Sequence, residues 1–310
     1  MTKIVSPKDF KIPEGVKILI YGNPGVGKTT LALSAEKPVL MDFDRGVHRV
    51  NTNHQVPTLQ VESYLEFKQE VESGLAEYKT IVIDTVGKML EFMNPYIIAN
   101  YKGAGKTNGA LSLSGYGDRK TEFILIFNKL ASMGKNIIFV AHEKEEKDGD
   151  MTKMRPEIGG SSGNDLYKEM DLIGYCEMIG QKKTISFDGK EKYYAKNTCN
   201  LKSIYEIPQL KEGDPNDFLA KEIISVYLKS LKDRVLIKKE YEKIISEHKE
   251  IISNITDVDG VNSFIKMMGE KKESGFNFIW TSKEIILAAF KARLGELGII
   301  NKDGKYVKKV

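Results

Sequence analysis

Residues 17–31 read KILIYGNPGVGKTTL, and this stretch decides the fold. The apolar run at 18–21 predicts a strand, the glycines at 22, 25 and 27 a tight loop, and Lys28, Thr29 and Thr30 the first turn of a helix. Strand, then G-x-x-x-x-G-K-[ST], then helix is the context in which this motif holds a nucleoside triphosphate. Glycines let the backbone curl with its N–H groups pointing inward, where a Cβ would push phosphate oxygens away. The candidate nucleotide-binding residues are therefore Gly22, Asn23, Pro24, Gly25, Val26, Gly27, Lys28, Thr29 and Thr30. Lys28 supplies a mobile point charge for the β- and γ-phosphates of ATP, and the Thr29 hydroxyl is placed to bind Mg²⁺.

Working outward, Lys37-Pro38 ends the helix after the loop, because proline disfavours the α conformation of the residue before it. A short strand at 39–41 then emits Asp42-Phe43-Asp44, and residues two apart at a strand end point the same way along the pleat. Helical spacing marks 63–75, and residues 80–84, TIVID, form a β-branched strand ending in an acid. Downstream of a phosphate loop, such an acid is the second magnesium element, so Asp84 joins Thr29 as a candidate metal residue. Asp84 is followed by Thr85 and not by Glu, which leaves Asp44 as the candidate catalytic carboxylate.

A helix is expected over 86–100, followed by a glycine-, serine- and lysine-rich segment at 101–117 that is too long and polar for an ordinary connection. Gly105-Lys106-Thr107 inside it imitates a phosphate loop, but Asn100 stands where the first glycine belongs and a helix precedes it. An amphipathic helix is expected over 118–133; its Asn128-Lys129 lacks the following Asp of a guanine-reading motif, since Ala131 stands there. Residues 136–142, NIIFVAH, form a further buried strand whose end places His142 as a candidate γ-phosphate sensor or water contact. Residues 143–165 then read as a long charged, glycine-rich loop, with Lys144, Lys147, Lys153 and Arg155 as its possible phosphate contacts. Residues 171–207 carry additional, partly antiparallel strands with a hairpin turn at Gly189-Lys190.

Beyond 210 strand signals give way to helical spacing between lysines and glutamates. One helix is signalled by a capping box at Thr281-Ser282-Lys283-Glu284 and closed by Gly298, and a small hairpin turns at Asp303-Gly304. The expected organisation is an ATPase domain over 1–209 and a C-terminal helical accessory region over 210–310.

Composition bounds the partners. The chain has 310 residues, 41% hydrophobic, with 47 basic against 43 acidic residues, a formal charge of +4. Such a balance permits a nucleic-acid partner without demanding one, and no basic tail is present. The two cysteines, Cys176 and Cys199, form no C-x-x-C and lie near no histidine set, which excludes a disulfide scaffold or a zinc ribbon. The opening MTKIVSPKDF has no signal-peptide core, and no run approaches the roughly 20 apolar residues of a membrane span, so a cytoplasmic protein without membrane contact is expected.

The ordered set GNPGVGKTT at 22–30, MDFD at 41–44, IVIDT at 81–85 and FVAH at 139–142 resembles the RecA-like P-loop ATPases, most closely the phage-encoded branch that includes single-strand annealing recombinases. The resemblance covers roughly residues 15–207. It implies an α/β fold with a mostly parallel sheet flanked by helices, ATP and Mg²⁺ as cofactors, hydrolysis by Lys28, Asp44 and His142, and a homo-oligomer. It also implies single-stranded DNA contacts through 101–116 and 143–165. Asp44 stands where many relatives carry Glu, and His142 replaces the glutamine of RecA. Two other readings stay open: a helicase-loader or partner-regulating switch that docks a protein through its C-terminal region, and a small-molecule kinase, which needs arginines closing over the transferred group, of which this chain has few near its motifs.

Overall fold

The computed structural model describes residues 12–148, 151–160, 162–273 and 280–309. The chain divides into two compact units, one comprising Ile12–Leu231 and the other containing Lys232–Val310.

The first unit is built on one ten-stranded sheet. Its parallel centre contains β1 (Lys17–Gly22), β2 (Pro38–Asp42), β3 (Thr58–Gln60), β4 (Thr80–Asp84), β5 (Asn136–Asp148) and β7 (Leu172–Ile179), in the order β7-β1-β5-β4-β2-β3. In β1, β2, β4 and the 137–141 part of β5 these are runs of β-branched and apolar residues with both faces buried, as expected when helices cover both sides of a parallel sheet. Antiparallel strands β8 (Lys182–Ser186) and β10 (Ile204–Glu206) extend the β7 edge, and β9 (Lys196–Asn197) pairs with β7. The tight turn from β7 into β8 passes Gly180, φ 61. The turn expected at Gly189-Lys190 is replaced by a local one in which Lys190 and Tyr193 bridge each other.

One face of the sheet packs α2 (Tyr64–Ser73), α3 (Val86–Asn100) and α4 (Leu113–Ala131) over Leu19, Ile81, Ile83, Phe139 and Ile173. The other face packs α1 (Lys28–Ala32) over Ile18, Ile20, Val82 and Val140. Ser63, Thr85 and Ser112 cap α2, α3 and α4, each side-chain oxygen accepting a backbone N–H three residues on.

The helix expected from residue 118 starts at Leu113, and the 101–117 segment is no open loop. Ala104 and Leu111 are buried with Ile97, and a Cβ on Gly115 would stand 2.2 Å from the Ala104 carbonyl oxygen, so glycine is what lets α4 meet this turn.

The 143–165 segment is mostly regular structure. β5 continues to Asp148 and pairs antiparallel with β6 (Met151–Pro156), and α5 (Ser162–Glu169) follows. Mixed charge hid the strands, although Asp148-Gly149 is a hairpin signal. Gly149, Asp150 and Ser161 lie outside the described residues.

The first unit also continues past 209. Leu219, Ile223, Ile224 and Tyr227 are buried in the same core as Ile18 and Ile20, so residues 210–231 belong with the sheet.

In the second unit, Ile252, Val261, Phe264, Ile286, Phe290 and Ile299 form a separate core. They come from α6 (Ser225–Ser253), α7 (Val258–Glu273), α8 (Trp280–Leu297) and β11 (Ile299–Lys302), and β11 pairs with β12 (Lys305–Lys308). Both turn residues of that hairpin, Asp303 and Gly304, have positive φ (53 and 84), as a two-residue turn of this kind requires. Gly298 (φ 62) closes α8 as expected, whereas Thr281 is a helical residue and not the cap, because α8 already begins at Trp280.

Candidate active site

The parallel register brings the sequence-predicted residues to one edge of the sheet. Gly22 at the end of β1 pairs with His142 on one side and Cys176 on the other, while Asp42 pairs with Asp84 and Asp84 with Val140. A Cβ on Gly22 (φ 146) would stand 2.0 Å from the Cys176 carbonyl oxygen, so only glycine fits where the loop leaves the strand. In the loop, Asn23, Pro24 and Gly25 are exposed, while the Val26 side chain turns into the core.

Lys28 is buried at the start of α1, and its Nζ donates to the carbonyl oxygens of Gly22 and Asn23, both at 2.8 Å. Burial lowers its pKa, opposed by Cys176 and by the carboxylates of Asp84, Glu143 and Asp44. The Thr29 hydroxyl donates to Asp84 Oδ2 at 2.6 Å. Burial raises the pKa of Asp84; the Thr29 hydrogen bond lowers it, Asp44 and Asp42 raise it further, and Lys28 lowers it. Hydroxyl and carboxylate oxygens, two in number and side by side, fit a magnesium ion that keeps its remaining positions for water and phosphate.

The two carboxylates at the C-terminal end of β2 are held differently. Asp42 is buried, and its oxygens accept the backbone N–H groups of Gly46 and Val47, both at 2.9 Å, which fixes the turn. Asp44 faces the cleft, held by its own N–H on the Asp84 carbonyl oxygen at 3.1 Å and by an ion pair with Arg49 at 3.2 Å. Lys28, Thr29, Asp44, Arg49, Asp84 and His142 all line this cleft of about 180 Å³. The predicted set thus converges, and Arg49 joins it unannounced. It lies in an irregular polar connection, where no periodicity announces which way a side chain points.

A second cavity of about 320 Å³ shares Gly27 and Thr30 with the cleft. Its walls include Leu31, Asn51, His54, Ile207 and Phe218, a mixture of apolar and amide groups of nucleoside size. Residues 216–220 are fastened over α1: Asn216 Nδ2 donates to Thr30 O at 3.0 Å, and Leu219 N donates to Ser34 Oγ at 2.9 Å. Lys183 of β8 brings its Nζ to 3.4 Å from the point where a Cβ on Gly27 would stand, beside the phosphate loop. None of these outer-wall residues carries a motif.

The two segments expected to bind DNA lie beyond the cleft. Lys102 and Lys106 are exposed on the 101–111 turn. On the ribbon, Lys144 and Arg155 are engaged by Glu146 at 3.7 and 3.4 Å, leaving Lys147 and Lys153 outside that ion-pair cluster. The ribbon connects back to the cleft, since the N–H of Glu157 donates to the His142 carbonyl oxygen at 2.8 Å.

A family described as the AAA domain matches residues 14–199, the stretch that carries this arrangement. The chain belongs to the AAA domain family. The match contains the phosphate loop, Asp44, Asp84 and His142, and ends before the 207–218 wall of the second cavity. One relative of the AAA domain protein described here is the SPbeta prophage-derived uncharacterized protein YorG of Bacillus subtilis (strain 168), 27% identical over 143 residues, which are 44% of this chain and 43% of that protein. The aligned part thus spans less than half the length of that relative. Solved structures similar to this AAA domain chain include the KaiC-like protein PH0186 from Pyrococcus horikoshii OT3 (TM-score 0.35, 12% identity, covering 56% of this chain and 79% of that one). The RadB recombinase is another (TM-score 0.35, 14% identity, 56% and 80%). Among the described residues, no helix is long and apolar enough to cross a membrane.

Proposed function

We propose that this AAA domain protein binds ATP with Mg²⁺ and hydrolyses it, and that it couples this cycle to single-stranded DNA, as a RecA-like recombination or annealing factor assembled as a homo-oligomer. The observation that carries the hydrolytic part is the convergence of Lys28, Thr29, Asp84, Asp44 and Arg49 on one cleft. Lys28 exchanges the two carbonyl oxygens that now hold it for phosphate oxygens, a charge-assisted replacement. Thr29 and Asp84 would hold the magnesium ion, which when bound neutralises charge on the β- and γ-phosphates. Asp44 takes the proton of the attacking water as its oxygen bonds to the γ-phosphorus, and the bond to the ADP oxygen breaks. Arg49 keeps Asp44 oriented and lies where charge on the transferred group is spread. His142, at the end of β5, meets the γ-phosphate and passes its loss to the ribbon through Glu157. The nucleoside occupies the second cavity.

The coupling to DNA is supported by the ordered motifs and by the ribbon that grows directly from the sensor strand. The test is the rate of phosphate release with Mg²⁺ and ATP, with and without single-stranded DNA. Release that requires Mg²⁺ and rises with DNA is the expected result. A rate indifferent to DNA removes the coupling, and absence of phosphate release under both conditions removes the hydrolysis.

A further inference from the structure

Residues 182–186, KKTIS, alternate along β8, and the alternation puts Lys183 on the same face as Ile185. Ile185 is fully buried with Leu31 and Ala32 of α1, so Lys183 stands on the face that carries the phosphate loop. Because β8 runs antiparallel to β7, its first residues lie at the C-terminal edge of the parallel strands. Lys183 pairs with Met178, two positions beyond Cys176, and Cys176 is level with Gly22. The side chain therefore extends past the end of the core and over the loop, where its Nζ lies 3.4 Å from the point a Cβ on Gly27 would occupy.

The other lysines of this edge are engaged. Lys182 pairs with Glu206 at 2.7 Å, Lys192 with Glu177 at 2.9 Å, and Lys28 with two carbonyl oxygens at 2.8 Å. Lys183 is half-buried, and among the described residues its Nζ has neither a carboxylate nor a hydrogen-bond acceptor. A half-buried ammonium loses part of its hydration, and a charge-assisted hydrogen bond from it to an anion replaces what is lost. The two cavities identify that anion. The cleft of Lys28, Thr29 and Asp84 takes the β- and γ-phosphates, the cavity walled by Leu31, His54 and Phe218 takes the nucleoside, and the two share Gly27 and Thr30. What joins a nucleoside to its β-phosphate is the α-phosphate, and Lys183 lines the nucleoside side of the shared boundary.

We propose that Lys183 is a second phosphate-binding lysine, supplied by the antiparallel edge of the sheet, whose ammonium donates to an α-phosphate oxygen of the bound nucleotide. The inference rests on the ATP-binding reading above and deepens it by giving this subsite a residue outside the phosphate-loop motif. The α-phosphate keeps its bonds to the nucleoside and its charge when the γ-phosphoryl group leaves. The contact is therefore equally strong in substrate, transition state and product, so it sets affinity for ATP and ADP alike and leaves the chemical step unaffected.

The test uses full-length protein with Mg²⁺ and calorimetric titration of ATP, ADP and inorganic tripolyphosphate, whose terminal phosphate stands in for the α-phosphate. Lys183→Met should weaken all three about tenfold or more, the scale of one lost charge-assisted hydrogen bond. The single-turnover rate at saturating ATP should stay unchanged, and Lys183→Arg, which keeps the charge, should bind all three more tightly than Lys183→Met. Four results overturn the inference and leave ATP binding standing: unchanged affinity in Lys183→Met, a loss confined to ATP and ADP with tripolyphosphate unaffected, a single-turnover rate that falls as far as the affinity, or Lys183→Arg no better than Lys183→Met. Wild-type protein that binds neither ATP nor ADP overturns the inference together with the ATP reading. Where tripolyphosphate binds too weakly to titrate, ATP and ADP with the Lys183→Arg comparison decide, and should Lys183→Met lose its fold by circular dichroism, Lys183→Gln replaces it in the same titrations.

Discussion

Thr29 Oγ1 and Asp84 Oδ2 lie 2.6 Å apart although 55 residues separate them in the chain. The hydrogen bond joins the first turn of α1 to the end of β4 and sets two hard oxygens side by side before any ion arrives. Its cost is a carboxylate kept out of water, where the charged form is disfavoured.

Asp84→Asn should therefore stabilise the nucleotide-free protein while abolishing Mg²⁺-dependent phosphate release. Asp84 has a folded pKa raised above the ordinary 3.8, so the folded state binds more protons between the two values. Stability then falls as pH rises through the raised pKa. The variant should gain on the order of 1 kcal/mol at neutral pH, a typical gain when a site tuned for function is neutralised. That advantage should shrink as pH is lowered through the raised pKa. Thermal melting across this range checks it, and a variant less stable than wild type at neutral pH contradicts it.

Lys28→Ala should retain the fold and lose the chemistry. Its Nζ contacts are two loop carbonyls and no core side chain. Removing a main electrostatic stabiliser costs about 3–4 kcal/mol in the transition state, or roughly 10²–10³ in rate. Phosphate release measured alongside circular dichroism separates loss of activity from loss of structure; hydrolysis at an undiminished rate would refute the assignment.

Asp44 and Arg49 should separate in stability and catalysis. The ion pair is at the surface, with Arg49 62% exposed, so breaking it with Arg49→Ala should change stability by no more than about 1 kcal/mol. Asp44→Asn should reduce kcat by roughly 10²–10⁴, the range of a lost general base, with little change in nucleotide affinity. Single-turnover rates and nucleotide titrations measure the two effects independently. Equal loss in affinity and rate would place Asp44 in binding instead.

Ser34→Ala tests the outer wall. The Ser34 hydroxyl accepts Leu219 N–H at 2.9 Å and donates to Leu31 O at 2.6 Å in a fully buried position. Its removal leaves the Leu219 N–H without an acceptor, costing about 1–3 kcal/mol. Because residues 216–220 close the second cavity, affinity for ATP should weaken while affinity for inorganic triphosphate stays unchanged. Chemical denaturation and competition titrations read the two; parallel loss for both ligands would remove the cavity from nucleoside binding.

Much of the candidate site's sheet edge is legible in the sequence because each part is local. The phosphate loop is contiguous, and a strand that ends in a polar residue in a parallel sheet delivers that residue to the ligand-binding edge, which located Asp84, Asp44 and His142 in advance. What periodicity did not disclose is how Asp42 and Asp44 divide their work, since that depends on a turn whose Arg45 adopts φ 52. The charged ribbon reads as a loop in sequence because its residues form ion pairs with one another and do not alternate between core and water. Residues 210–231 read as part of the C-terminal region because helical spacing does not reveal which core receives the apolar face.

The chain alone determined that the phosphate-loop motif, Asp84 and His142 share one sheet edge, because backbone geometry and a two-residue pleat set those positions within short segments. Tertiary structure alone decided that Ser34 holds Leu219 across 185 positions, that Arg49 faces Asp44, and that Arg119 is buried with no carboxylate beside it among the described residues. Contacts of this kind depend on which surfaces meet when the chain collapses. No local pattern encodes them, because the free energy of a buried charge or an unpaired N–H belongs to the neighbours it acquires.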